Sequence, residues 1–142
     1  MISKSIIALP SIIVIFFAGC LAANRSSSEV NGASSTVQTQ LIGDWSGDSL
    51  CQVKNSSCHD EKVVYHISKG SGPDLLVVDA DKIVNGKSEN MGKLDFKYDA
   101  KAETMISESY GHWVFNIQGN KMDGTLTINE GTLYRKISLT KN

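Results

Sequence analysis

From Leu41 to the C-terminus the chain alternates apolar and polar side chains with a period of two, and turn residues punctuate the alternation at short intervals. Side chains of that period fall on opposite faces of an extended strand, whereas an amphipathic helix needs a stripe recurring every 3.6 residues. No segment of this stretch carries such a stripe. Eight strands are predicted, at about Gly43–Val53, Glu61–Lys69, Asp74–Val84, Met91–Asp99, Thr104–Tyr110, His112–Gln118, Lys121–Asn129 and Thr132–Lys141. The separators carry turn chemistry, among them Gly70-Ser71-Gly72-Pro73, Asn85-Gly86, Gly119-Asn120 and Glu130-Gly131.

Short connections between all neighbours predict an all-β fold: an eight-stranded antiparallel up-and-down meander with no significant helix. Such a sheet would expose two edges, and closing it into a small barrel removes them. The alternation assigns an inward face. Trp45, Gly47, Ser49 and Cys51 share it in the first strand, Val63, Tyr65 and Ile67 in the second, and Leu94, Phe96 and Tyr98 in the fourth. Trp113, Phe115 and Ile117 form another inward set, as do Met122, Leu126 and Ile128. Leu75-Leu76-Val77-Val78 is apolar on both faces, so the register of the third strand stays open.

The first 19 residues read as an export signal, with Lys4 in a positive leader and an apolar run from Ile6 to Phe17. That run is shorter than the roughly 20 apolar residues of a membrane-spanning helix. Ala18-Gly19-Cys20 follows it and resembles the bacterial lipobox, in which the chain is cut before a cysteine that becomes acylated; Phe17 stands where a lipobox usually has Leu. The alternative is an ordinary signal cut after Ala22 or Ala23. Residues 20–40 are then an acylated cysteine and a tether too poor in large apolar side chains to offset its own ordering entropy, leaving 41–142 as the domain. By resemblance to Gram-negative lipoproteins, Leu21 after the cysteine implies an outer-membrane anchor facing the periplasm; the other cleavage gives a soluble periplasmic or secreted protein.

Both cleavage readings leave Cys51 and Cys58 as a pair in an oxidising compartment. Their spacing is neither Cys-x-x-Cys nor a zinc knuckle, so a structural disulfide across the first hairpin loop is expected. Closing so short a loop stabilises by about 2–2.5 kcal/mol on the chain-entropy argument.

Gly43-Asp44-Trp45 at the start of the first strand matches the Gly-x-Trp signature of lipocalins and their calycin relatives. In that group a late Arg lies across the Trp and closes one end of the barrel. Arg135 falls in the last strand on the parity of Leu133, Ile137 and Leu139. The resemblance therefore implies that Gly43, Trp45 and Arg135 together close the barrel, with a guanidinium stacked on an indole. The chain lacks the length and the C-terminal helix of typical lipocalins. The pattern Gly43, Trp45, Gly47, Cys51, Cys58, Asp60-Glu61, Gly124-Thr125-Leu126 and Arg135 also resembles a group of small exported bacterial proteins of no assigned activity.

Other constellations point to little chemistry. Cys58-His59-Asp60-Glu61, with His66 and His112 elsewhere, supplies ligand types without convergent spacing, so no metal is expected. No nucleophile motif, His-Glu-x-x-His or phosphate-cradling loop occurs, and Asp44 and Asp48 share an outward face, so no enzyme is expected. With 14 Lys+Arg against 15 Asp+Glu interspersed, there is no basic stripe for nucleic acid. No cofactor is implied, and a monomer is expected. The inward aromatics Tyr65, Phe96, Tyr98, Trp113 and Phe115 are the candidate lining of a pocket. Two functions follow: an envelope lipoprotein binding a small apolar ligand, or an interaction module of the kind that periplasmic lysozyme inhibitors represent.

Overall fold

The computed structural model describes residues 38–142; the export segment, Cys20 and most of the predicted tether lie outside the described residues. The strands are β1 (Gly43–Cys51), β2 (Glu61–Lys69), β3 (Leu75–Val84), β4 (Lys87–Asp99), β5 (Thr104–Ser107), β6 (His112–Gln118), β7 (Lys121–Ile128) and β8 (Thr132–Lys141). All pairings are antiparallel between sequence neighbours, and β1 pairs with β8, so the up-and-down meander closes into a barrel. A helical turn over residues 38–41 precedes β1, and its Leu41 is 2 % exposed.

The inward faces follow the alternation. Trp45, Val63, Tyr65, Ile67, Phe96, Tyr98, Phe115 and Ile137 are all buried in one continuous core. For β3, whose register the sequence left open, Leu76 and Val78 face inward and pair across from Phe96 and Leu94. Gly124 belongs to the packing: a Cβ there would sit 2.3 Å from the Phe115 ring, so the missing side chain is the space the ring occupies.

Two strands differ from expectation by three residues or more, β4 and β5. β4 begins at Lys87, because Asn85 (φ 52°) and Gly86 (φ 77°) form a two-residue turn whose left-handed dihedrals match the right-handed twist of the flanking strands. β5 stops at Ser107, because Tyr110 (φ 58°) and Gly111 (φ 138°) turn the chain instead of extending it. β4 thus pairs with β5 only from Lys97 to Asp99, while on its other side it pairs with β3 from Val84 to Leu75. Two bulges interrupt the ladders, one leaving Met91 without a partner on β3 and the other doing the same for Tyr134 opposite β7.

The closing pair expected from sequence is not formed. Trp45 lies opposite Lys141 and Arg135 opposite Cys51 in the β1–β8 ladder. Six residues of strand, roughly 20 Å, separate the two positions. Inward parity holds for both residues, but the register carries them to different ends. Lys141 takes the place over the indole, its Nζ 5.9 Å from the ring centre.

Candidate functional site

One end of the barrel is shut. Trp45 is fully buried, its Nε1 donates to the Leu41 carbonyl at 2.8 Å, and Lys141 Nζ donates to the Gln40 carbonyl while lying over the indole. Gln38 adds a bond from Nε2 to the Leu75 carbonyl at 3.4 Å, which ties the helical turn to β3. The turn over residues 38–41 is thus held under the barrel by side chains of β1 and β8.

The opposite end holds a cavity of about 380 Å³. Val78 and Ala80 of β3, Leu94 and Phe96 of β4, Trp113 of β6 and Leu126 of β7 form its apolar wall. Its mouth lies beside the short β5, where Met91–Leu94 has no partner on the β5 side of the sheet, and Met91 (43 % exposed) and Tyr110 (90 % exposed) stand at its rim. The volume is within the range of small-molecule sites. Trp113 is held at this mouth by its Nε1, which donates to the Ser109 carbonyl at 3.0 Å, and by near-parallel stacking on Phe115 at 6.4 Å.

Arg135 and Tyr65 supply the cavity's polar side. Arg135 Nη1 lies 3.1 Å from a Glu61 carboxylate oxygen, with both side chains 14 % exposed. The same nitrogen donates to Ser49 Oγ at 3.1 Å, to the Ser49 carbonyl at 3.4 Å and to the His59 carbonyl at 3.3 Å. The guanidinium also lies 5.6 Å from the Tyr134 ring centre. Burial pushes the Tyr65 hydroxyl up to about 12, against the lowering influence of Arg135. The loop that presents His59 is tied by a Cys51–Cys58 disulfide with Cα atoms 5.8 Å apart, and Asp60 accepts a bond from the Cys51 amide at 2.8 Å.

Of the five aromatics singled out from sequence, Tyr65, Phe96 and Trp113 line this cavity. Phe115 is fully buried behind it, edge-on to Tyr65 and Phe96, and Tyr98 is packed next to Met105 on β5 in the core. Gly43 (φ 127°) starts β1 at the shut end. Sequence reasoning missed Glu61, Ser49 and Lys141. An inward cation demands a buried acceptor, and Glu61 and Ser49 share the inward parity of β2 and β1, so that demand was the available signal. The histidines lie apart. His66 sits on the outer wall between Asp44 (2.7 Å) and Asp81 (3.5 Å), His112 pairs with Glu108, and His59 contacts the Ser57 carbonyl.

No protein-family model matches the chain, and no curated protein matches it. Similar solved structures include the siderocalin Ex-FABP, described as working through dual ligand specificities, at 14 % identity over 72 % of this chain and 71 % of that one with a TM-score of 0.49. An odorant-binding protein, OBP1, is 9 % identical over 74 % of this chain and 73 % of its own, with a TM-score of 0.49. A variant of the fluorescent protein UnaG is 14 % identical over 73 % of this chain and 97 % of its own, with a TM-score of 0.45. The fold rests on the closed ladder itself, and no ligand or site is carried over from these likenesses.

Proposed function

We propose that the protein is a cell-envelope lipoprotein, anchored through Cys20 in the outer membrane and facing the periplasm, whose barrel binds a small, largely apolar ligand. The observation that carries the binding part is the apolar cavity of about 380 Å³ open at one end while Trp45, Lys141 and the turn over residues 38–41 shut the other. An eight-stranded barrel is only wide enough for its own side chains or one small ligand, and here the aromatics fill the shut half and leave space in the open half. The anchor is supported by the apolar run ending in Ala18-Gly19-Cys20 and by the polar stretch after it.

Native mass spectrometry of the protein recovered from its own envelope tests the binding part. A retained small molecule of constant mass is expected, and its binding should quench Trp113, which stands at the mouth. Protein that carries nothing and whose fluorescence does not respond to the neutral apolar dye N-phenyl-1-naphthylamine would end this reading. Intact mass tests the anchor independently: a chain beginning at Cys20 with acyl chains attached is expected, and an unmodified chain beginning at Ala23 or Asn24 would remove it.

A further inference from the structure

Burial, charge pairing and an unused donor together narrow the chemistry of the cavity's occupant. Tyr65 is 4 % exposed, lines the cavity, and its hydroxyl has no hydrogen-bond partner among the described residues. The hydroxyl is not sealed off, since among the described residues Tyr98 Oη alone is fully buried without a partner, so a molecule in the cavity that offers an acceptor gains a bond with no protein bond to break. Tyr98 Oη is not in the wall of this cavity.

Charge decides the second point. Only two lining residues are cationic, and each already has its carboxylate at 3.1 Å: Glu61 on Arg135 and Asp79 on Lys93. Arg135 is further held by Ser49 and by the His59 carbonyl. An anionic head group brought to Arg135 would come up against the Glu61 carboxylate, itself nearly buried, and would suffer like-charge repulsion in a site with little water to screen it.

Resting on the ligand-binding reading above, we infer that the cavity takes a neutral, largely apolar molecule whose carbonyl or ether oxygen accepts a hydrogen bond from Tyr65 Oη, and that the Glu61–Arg135 pair excludes carboxylates. The hydroxyl stays protonated throughout the physiological range and so remains a donor. The Tyr65 ring packs in the core against Phe115, and its hydroxyl, which serves no internal bond, is the recognition group.

The test uses the full chain recovered from the envelope and held in lipid nanodiscs, with Trp113→Phe as the fluorescence blank. The probes are an ω-bromododecanoic acid and its methyl ester, whose bromine quenches a nearby indole; at about pH 8 the two differ in head-group charge and in one methyl group, the latter worth about fourfold when buried. The ester is expected to quench Trp113 with at least about tenfold higher affinity than the acid. Tyr65→Phe should weaken ester binding about tenfold while leaving the melting temperature of the unliganded protein unchanged or raised. Glu61→Gln, which keeps the side chain's size and uncovers the Arg135 charge, should reverse the preference toward the acid. Acid binding as tight as ester binding, or ester binding indifferent to Tyr65→Phe, would overturn this inference and leave the cavity reading standing. Quenching by neither probe would overturn both.

Discussion

The two ends of this barrel solve opposite problems with the same inventory of strands. At the shut end an indole, a lysine stem and a helical turn close over one another, and the loop at residues 119–120 is a two-residue connection. At the open end both bulges, the disulfide loop and, among the described residues, all but one of the non-glycine residues with positive φ (Asn55, Asn85, Tyr110, Asn129 and Glu130) are gathered around a cavity. Regular pairing maximises burial, and irregular backbone re-aims side chains at the cost of ladder bonds. Stability should therefore reside in the shut end and recognition in the open one. Each end also holds one inward cation, but Lys141 reaches out across an indole whereas Arg135 is matched by a buried carboxylate.

Substitution at the shut end should cost most. Trp45→Ala removes a fully buried indole and the donor to the Leu41 carbonyl, and should destabilise by about 3–5 kcal/mol. A denaturant melt that falls by less than 1–2 kcal/mol (roughly the cost of a minor core trimming) would show that the plug is not where the stability lies. At the open end, Arg135→Ala leaves Glu61 buried without a partner and should cost about 2–4 kcal/mol, with Arg135→Lys recovering only part of it because an ammonium cannot lie as a plane against the Tyr134 ring. If Arg135→Ala melts like the unaltered protein, the polar side of the cavity contributes nothing to the fold and the contrast between the ends is sharper still. Breaking the disulfide with Cys51→Ser and Cys58→Ser together should cost about 2–2.5 kcal/mol. Peptide mapping without reduction checks the bond itself, and the paired melts check its worth.

The smallest effect is expected on the outer wall, away from both ends. The hydrogen bond that His66 Nδ1 donates to the Asp44 carboxylate holds the imidazole above its ordinary value near 6.5, despite some desolvation, with Asp81 adding to the effect. A folded-state value above the unfolded one means the protonated pair stabilises fully below about 6.5 and that the contribution is lost as pH rises through the folded value. His66 is 43 % exposed, so solvent screening keeps this under about 1 kcal/mol. The stability difference between the unaltered protein and His66→Gln should shrink as pH is raised from about 5.5 to 8.5; a difference that grows would reverse the sign of the linkage. Asp79 and Asp81 run the other way: hydrogen bonds, chiefly from Asn90 and Ser88 respectively, hold their carboxyls below the usual range, and their contributions disappear only on acidification.

Period-two alternation and turn residues determined by themselves that this chain forms eight antiparallel strands, which side of most strands faces inward, and that Cys51 and Cys58 can meet across a loop. Those are local properties: side-chain parity and turn dihedrals are set within a few residues. Asn85-Gly86 marks its own hairpin, and Trp45 and Arg135 are both inward because of the residues beside them. What local pattern cannot encode is position along the strand, because an alternation of period two reads the same after a shift of two residues. Only the closed ladder, with β8 laid against β1 without interruption, set Arg135 against Cys51 and Lys141 against Trp45. The same closure brought Glu61, Ser49 and Tyr65 to the Arg135 end and left β5 too short to cover Met91–Leu94, which is why the cavity and its polar side belong to the tertiary structure alone.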